Sequence, residues 1–167
     1  SVANVLDGRF HHLAGTWDGT NVSLYVDGQL QGMAPLATPF NNTRPLNIGF
    51  TWGNGTPQRF FRGTIDEVSV YQRALSAGEI RTILEAGAGG KQPPVQLPLL
   101  GGLAAWWPAE NNANDLVGTL HGALAGNVTF AEGIVGRSFA FDGSGAHVVL
   151  PDSTLWDFGT ADFSLGL

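Results

Sequence analysis

Apolar and polar residues alternate with a period of two along most of the chain, the mark of half-buried strands rather than helices. His11 to Trp17 reads as a strand, Asp18-Gly19 as a turn, and Asn21 to Val26 as the return strand. In that return strand Val22, Leu24 and Val26 fall on one face, and Asn21, Ser23 and Tyr25 on the other. A second pair, Asp27-Gly28, opens a further hairpin into Gln29–Met33. Asp-Gly between alternating runs predicts a tight hairpin because both turn positions take positive φ. Further strands are predicted at Leu46–Phe50, Phe60–Tyr71, Leu103–Trp107, Val128–Ala131, Ser138–Phe141, His147–Leu150 and Asp162–Leu167. One helix interrupts them. Ser76-Ala-Gly-Glu79 is a capping box, Ile80, Ile83 and Leu84 form a single apolar stripe, and Gly87 closes the element. A helix so short and one-sided is expected to plug an open end of the sheet core.

After the helix, Ala86-Gly-Ala-Gly-Gly-Lys-Gln-Pro-Pro-Val-Gln-Leu-Pro98 reads as a linker, extended where the prolines lie. The strand pattern resumes at Leu103, which divides the chain into residues 1–86, a linker at 87–101, and residues 102–167. The 167 residues suit one domain or pieces of two, at ~100–200 residues per domain. Hydrophobic residues make up 43%, enough for a packed core, and 24 glycines supply turns for many short strands. Acidic residues outnumber basic ones by 14 to 8, for a net charge of −6, and Lys91 is the single lysine. That balance argues against nucleic acid or an anionic membrane surface as partner. No apolar run approaches the ~20 residues of a spanning helix, so no membrane insertion is expected. No cysteine is present, which removes disulfides, thiol nucleophiles and cysteine-ligated zinc.

Phe10-His-His-Leu-Ala-Gly-Thr-Trp-Asp-Gly-Thr20, Leu24-Tyr-Val-Asp-Gly28, Phe61-Arg-Gly-Thr-Ile-Asp-Glu-Val-Ser-Val-Tyr71 and the helix Ala74-Leu-Ser-Ala-Gly-Glu-Ile80 resemble the carboxyl half of a bacterial LamG-like domain. Gly102-Leu-Ala-Ala-Trp-Trp-Pro108, Phe141-Asp-Gly143 and Ala146-His-Val-Val-Leu150 resemble the amino half of such a domain. The resemblance implies an all-β, concanavalin A-like antiparallel β-sandwich, a jelly roll with one short helix. The halves stand in the order carboxyl then amino, like a frame cut across two tandem repeats. The family's central strands, on the order of 40 residues at ~8–12 per strand, are expected between the equivalents of Leu167 and Ser1. Two arrangements are open: the halves close on each other as a circular permutant, or each is completed by a neighbouring copy in a head-to-tail assembly. Either way the partners implied are a glycan or protein ligand and neighbouring copies of the chain. The setting implied is extracellular or attached to the cell surface, in an adhesion or assembly module, a carbohydrate-binding accessory of a secreted hydrolase, or a structural fibre subunit.

The candidate chemistry is sparse. Asp66-Glu67 lies inside a predicted strand, so the two side chains are expected on opposite faces. The related glycoside hydrolases carry a Glu-x-Asp-x-x-Glu strand that aligns alternate acids. Gly63-Thr-Ile-Asp-Glu-Val-Ser69 lacks that alternation, and no enzyme activity is expected. Calcium takes six to eight oxygens, and the resemblance brings the first and last strands together, which makes Asp66 and Asp142 a candidate structural calcium pair. Asp115 and Asp152 are weaker candidates, read as loop residues. His11-His12 lacks a third ligand at metal spacing, His121 and His147 stand alone, and Ser144 is not in a nucleophile-elbow pattern. Among the tryptophans, Trp17, Trp106 and Trp107 fit core or rim packing, and Trp156 is intermediate. Trp52 lies in Phe50-Thr-Trp-Gly-Asn-Gly-Thr-Pro57 with no apolar period to bury it, so Trp52, Asn54 and Arg59 are the candidate carbohydrate contacts. Asn-x-Ser/Thr triplets at Asn21, Asn41, Asn54 and Asn127 are read as turn and strand-edge composition.

Overall fold

The computed structural model describes residues 3–37, 45–53, 56–87 and 101–167. Most of the expected linker, and Asn41 and Asn54, lie outside the described residues. Among the described residues, fourteen short strands, one α-helix and a single 3-10 turn at Thr154–Trp156 follow each other. β1 (Leu13–Trp17), β2 (Asn21–Val26) and β3 (Gln29–Pro35) are the two predicted hairpins, but their turns differ. Asp27 and Gly28 both take positive φ, as a two-residue turn requires. At Asp18-Gly19-Thr20 only Gly19 does so, and the Asp18 carboxylate accepts the amides of Thr20 and Asn21 in its place.

β4 (Asn47–Ile48), β5 (Thr51–Gly53), β6 (Thr56–Gln58), β7 (Arg62–Ile65) and β8 (Val68–Tyr71) complete the strands before the helix. The expected single strand at Phe60–Tyr71 is therefore two strands. They part at Asp66-Glu67, where Glu67 takes φ 57° and the chain steps from one layer to the other. Beyond the linker come β9 (Leu103–Trp107), β10 (Ala123–Ala125), β11 (Thr129–Glu132), β12 (Arg137–Asp142), β13 (His147–Val149) and β14 (Phe163–Gly166).

One layer is a six-stranded antiparallel sheet in the order β3-β2-β1-β14-β8-β9. The other is made of β10-β13-β4 and β11-β12-β7, with β5-β6 as a separate hairpin. Strands from both sides of the linker alternate: β14 lies between β1 and β8, β9 on β8, β12 on β7 and β13 on β4. Residues 1–86 and 102–167 thus close on each other within one chain, an all-β antiparallel sandwich with one short helix.

The core lies between the layers. Val70, Ala105 and Trp107 of the large sheet pack against Ile48, Phe139, Phe141, Val148 and Leu150. The helix α1 (Ala77–Ala86) has both halves of its capping box, with the Ser76 oxygen accepting the Glu79 amide. Arg73 stands 2.7 Å from the Glu79 carboxylate and, with the Ser76 amide, holds it down to about 2. Instead of plugging an end, α1 covers the outer face of the large sheet, with Leu75 and Ile80 against Ala14 and Tyr71. That outer face offers the helix apolar partners: Ala14 pairs with Tyr25, and Tyr25, Ile83 and Leu103 pack around the cluster. Ser164 of β14 locks this corner, accepting the Leu75 amide and donating to the Arg73 carbonyl, each at 2.8 Å.

Candidate functional site

The β5–β6 hairpin was legible in the sequence only as a loop, because Thr51, Gly53, Thr56 and Gln58 carry no apolar alternation. Its register sets Trp52 opposite Pro57, so both rings share one face. Trp52 is 37% exposed. Phe50 meets it edge-on at 5.3 Å, and Phe50 in turn contacts Phe60 at 5.7 Å and the His147 ring at 4.7 Å. His147 is itself fixed by its Nδ1, 2.7 Å from the Gly145 carbonyl. The exposed indole therefore stands on an ordered aromatic stack drawn from both parts of the chain. Arg59 is exposed at the end of the hairpin with φ 51°, on the same hairpin as Trp52. Asn54, the third candidate, lies outside the described residues. Phe50, Phe60 and Pro57 were missed as members of this corner; two phenylalanines flanking a tryptophan loop were the available signal. The other tryptophans are structural: Trp17 and Trp107 are fully buried, Trp106 nearly so, and Trp156 packs on Trp107 at 5.9 Å.

Asp66 and Asp142 are not brought together. β7 and β12 do lie side by side, but Asp142 pairs with Arg62 at one end of β7, while Asp66 follows its other end. Four residues of strand put roughly 13 Å between those points. Asp66 is buried, and its Oδ2 accepts the amides of Ile134 and Val135 at 2.8 and 3.1 Å. Burial pushes its carboxyl up, and Glu110 adds to the shift. Its Oδ1 has no hydrogen-bond partner among the described residues and is sealed from solvent. Asp142 is at the surface, where its Oδ1 accepts the amides of Ser144 and Ala146, and these hydrogen bonds, Ser144 foremost, hold its carboxyl below the usual range. A single orphaned oxygen and a distant turn carboxylate do not supply the six to eight oxygens calcium takes. No group of three or more His, Asp or Glu among the described residues is placed to hold a metal. Asp66 is instead a clamp on the β11–β12 turn, helped by Glu110, whose Oε1 accepts the Arg137 amide at 3.1 Å. Asp115 is also a clamp: its two oxygens accept the amides of Trp106, Val117, Gly118 and Leu120. Asp152 is an exposed loop residue.

A cleft of about 860 Å³ opens between β7, the segment before β1, and the end of β14. Phe10, Leu13, Phe61, Ile65 and Leu167 make its apolar walls, with Arg9, Asp27, Arg62 and Glu67 among its charged groups. His11 stands at this cleft, before the strand rather than within it as expected. It bridges two carboxylates, Nδ1 at 2.8 Å from Asp27 and Nε2 at 3.0 Å from Asp7. The Asp27 and Asp7 contacts raise its pKa. His11 lowers the Asp7 carboxyl in turn. At Asp27 burial works the other way, but the hydrogen bonds from His11 and the His12 amide prevail and lower it. The same aspartate accepts the His12 amide at 2.9 Å, so the N-terminal segment is pinned to the β2–β3 turn.

Residues 1–81 match the family Laminin_G_3, described as the concanavalin A-like lectin/glucanases superfamily. The match runs from the N-terminal segment into α1 and is consistent with part of a LamG-like domain there. No curated protein and no solved structure matches the chain. Among the described residues no helix is long and apolar enough to cross a membrane.

Proposed function

We propose, taking the concanavalin A-like character of residues 1–81 as the premise, that this chain is a non-catalytic extracellular adhesion module that holds a glycan on the Trp52 corner. The observation that carries this reading is the exposed Trp52 ring, backed by Phe50, Phe60 and His147 and set beside Pro57. A flat apolar ring in a fixed orientation covers the C–H face of a sugar at little entropic cost, because the indole has only two side-chain torsions to freeze. Arg59, exposed at the end of the same hairpin, supplies donors for ring hydroxyls or an acidic substituent. Neither group performs chemistry on a bound sugar, and the Asp66–Glu67 carboxylates are engaged elsewhere, on turn amides and on the Trp106 indole.

The test is an array of neutral and acidic oligosaccharides, followed by titration of any hit. Saturable binding is expected, weakened roughly thirtyfold by Trp52→Ala, the ~2 kcal/mol of a tryptophan hot spot, and largely kept by Trp52→Phe. A blank array, or binding indifferent to Trp52→Ala, overturns the reading.

A further inference from the structure

Charge is unevenly spread along this chain. Acidic residues outnumber basic ones by 14 to 8 overall, yet residues 28–65, which supply β3 to β7, contain no aspartate or glutamate. The same stretch carries Arg44, which lies outside the described residues, and Arg59 and Arg62. The ion pairs among the described residues use Arg9, His11 and Arg73, and Arg59 belongs to none of them. Asp142 stands opposite Arg62 in the β7–β12 register, so these two charges offset each other and Arg59 is left uncompensated. Arg59 is exposed, and its φ of 51° lies in the left-handed region, which few non-glycine residues adopt. No side-chain hydrogen bond to the described residues accounts for that conformation. Arg59 is two residues beyond Pro57, the partner of Trp52, about 7 Å along the hairpin, a span that an arginine side chain covers.

We infer that the sugar held on Trp52 is an acidic one, whose carboxylate or sulfate group at the ring edge is taken by the Arg59 guanidinium while its C–H face covers the indole. The inference rests on the glycan reading of this corner and narrows it. A sugar hydroxyl offers the guanidinium a neutral acceptor. An anionic group accepts two parallel N–H bonds, shorter and roughly twice as strong. Isolated surface ion pairs gain little, because two long side chains have to be ordered to form them. Here stacking on Trp52 already orients the ring that carries the anion, so only the arginine is ordered. The pair is exposed to solvent, which makes it sensitive to salt. The charge of −6 on the whole chain repels an anionic glycan from most of the surface, and the acid-free stretch around the hairpin is where that repulsion is relieved.

The experiment titrates the whole chain with tetragalacturonate and its methyl ester, and with a sulfated galactotetraose and its unsulfated form. At least one charged sugar is expected to saturate the protein, at least about tenfold more tightly than its neutral counterpart, with an affinity that falls as salt is added. Whether the uronate or the sulfate binds identifies the anionic group. Arg59→Gln, shown to be folded by its melting curve, should bring the charged sugar to the affinity of its neutral counterpart. Arg81→Gln removes an exposed positive charge on α1 instead and should leave the preference intact, which separates a local contact from net charge. Trp52→Ala should weaken charged and neutral sugars alike. Equal binding of charged and neutral sugars that still depends on Trp52, or a preference that survives Arg59→Gln, overturns this inference and leaves the glycan reading standing. Binding indifferent to Trp52→Ala overturns both. No saturation by either charged sugar overturns the inference, and the broader oligosaccharide array then judges the glycan reading by itself.

Discussion

His11 shows how much a single side chain settles at this surface. It spans Asp7 and Asp27 and so ties the N-terminal segment to the β2–β3 turn. Its raised pKa and the lowered values of its two partners fix the sign of the pH response. The histidine's contribution is complete below its ordinary 6.5 and is lost as pH rises through the raised value. The aspartates' contribution is complete above their ordinary 3.8 and is lost as pH falls through the lowered values. The segment is therefore held best between about pH 4 and 6.5, and amide protection over residues 3–12, the exchange rate relative to its intrinsic value at each pH, should be greatest in that window. His11→Gln is expected to flatten the profile; an unchanged profile would show that the bridge does not hold the segment. The sequence showed only that two histidines and two aspartates lay near Asp-Gly turns. The pairing needed the hairpin to bring Asp27 back to residue 11.

At the scale of elements, turn and cap chemistry was largely legible, because it is local. Asp27-Gly28, Asp18-Gly19 and the Ser76–Glu79 box each act within a few residues of their own backbone. The break at Asp66-Glu67 was not legible, since Val68, Val70 and Ile65 suit a strand whether or not the chain changes layers between them. Nor was the role of Asp115, whose carboxylate accepts amides from Trp106 to Leu120. That connection between β9 and β10 has no apolar element of its own, and the buried carboxylate organises it. Asp115→Ala removes four amide acceptor contacts and should destabilise the fold by about 3 kcal/mol, read by urea unfolding. A loss under half of that would mean that water replaces the carboxylate.

For the molecule as a whole, β14 matters most: it belongs to residues 102–167 yet sits between β1 and β8. Two pieces divided after Lys91, produced together, should co-purify in equal amounts and melt as one cooperative unit. Each piece alone should lack a cooperative transition, since it leaves strand edges and half of the core bare. A piece that melts cooperatively by itself would contradict this. The same strand explains what was and was not readable. Period-two alternation, turn residues and the capping box identified strands, helix and family resemblance, because each depends on neighbours in the chain. The Trp52 candidate also came from the sequence, as an aromatic ring that no periodicity buried. Pairing between distant strands decided the rest. Register, set by long-range hydrogen bonds and side-chain packing, parted Asp66 from Asp142 and stacked Phe50 and His147 behind Trp52. No local pattern encodes which strand lies beside which, and that is why only the tertiary structure set the aromatic stack behind Trp52.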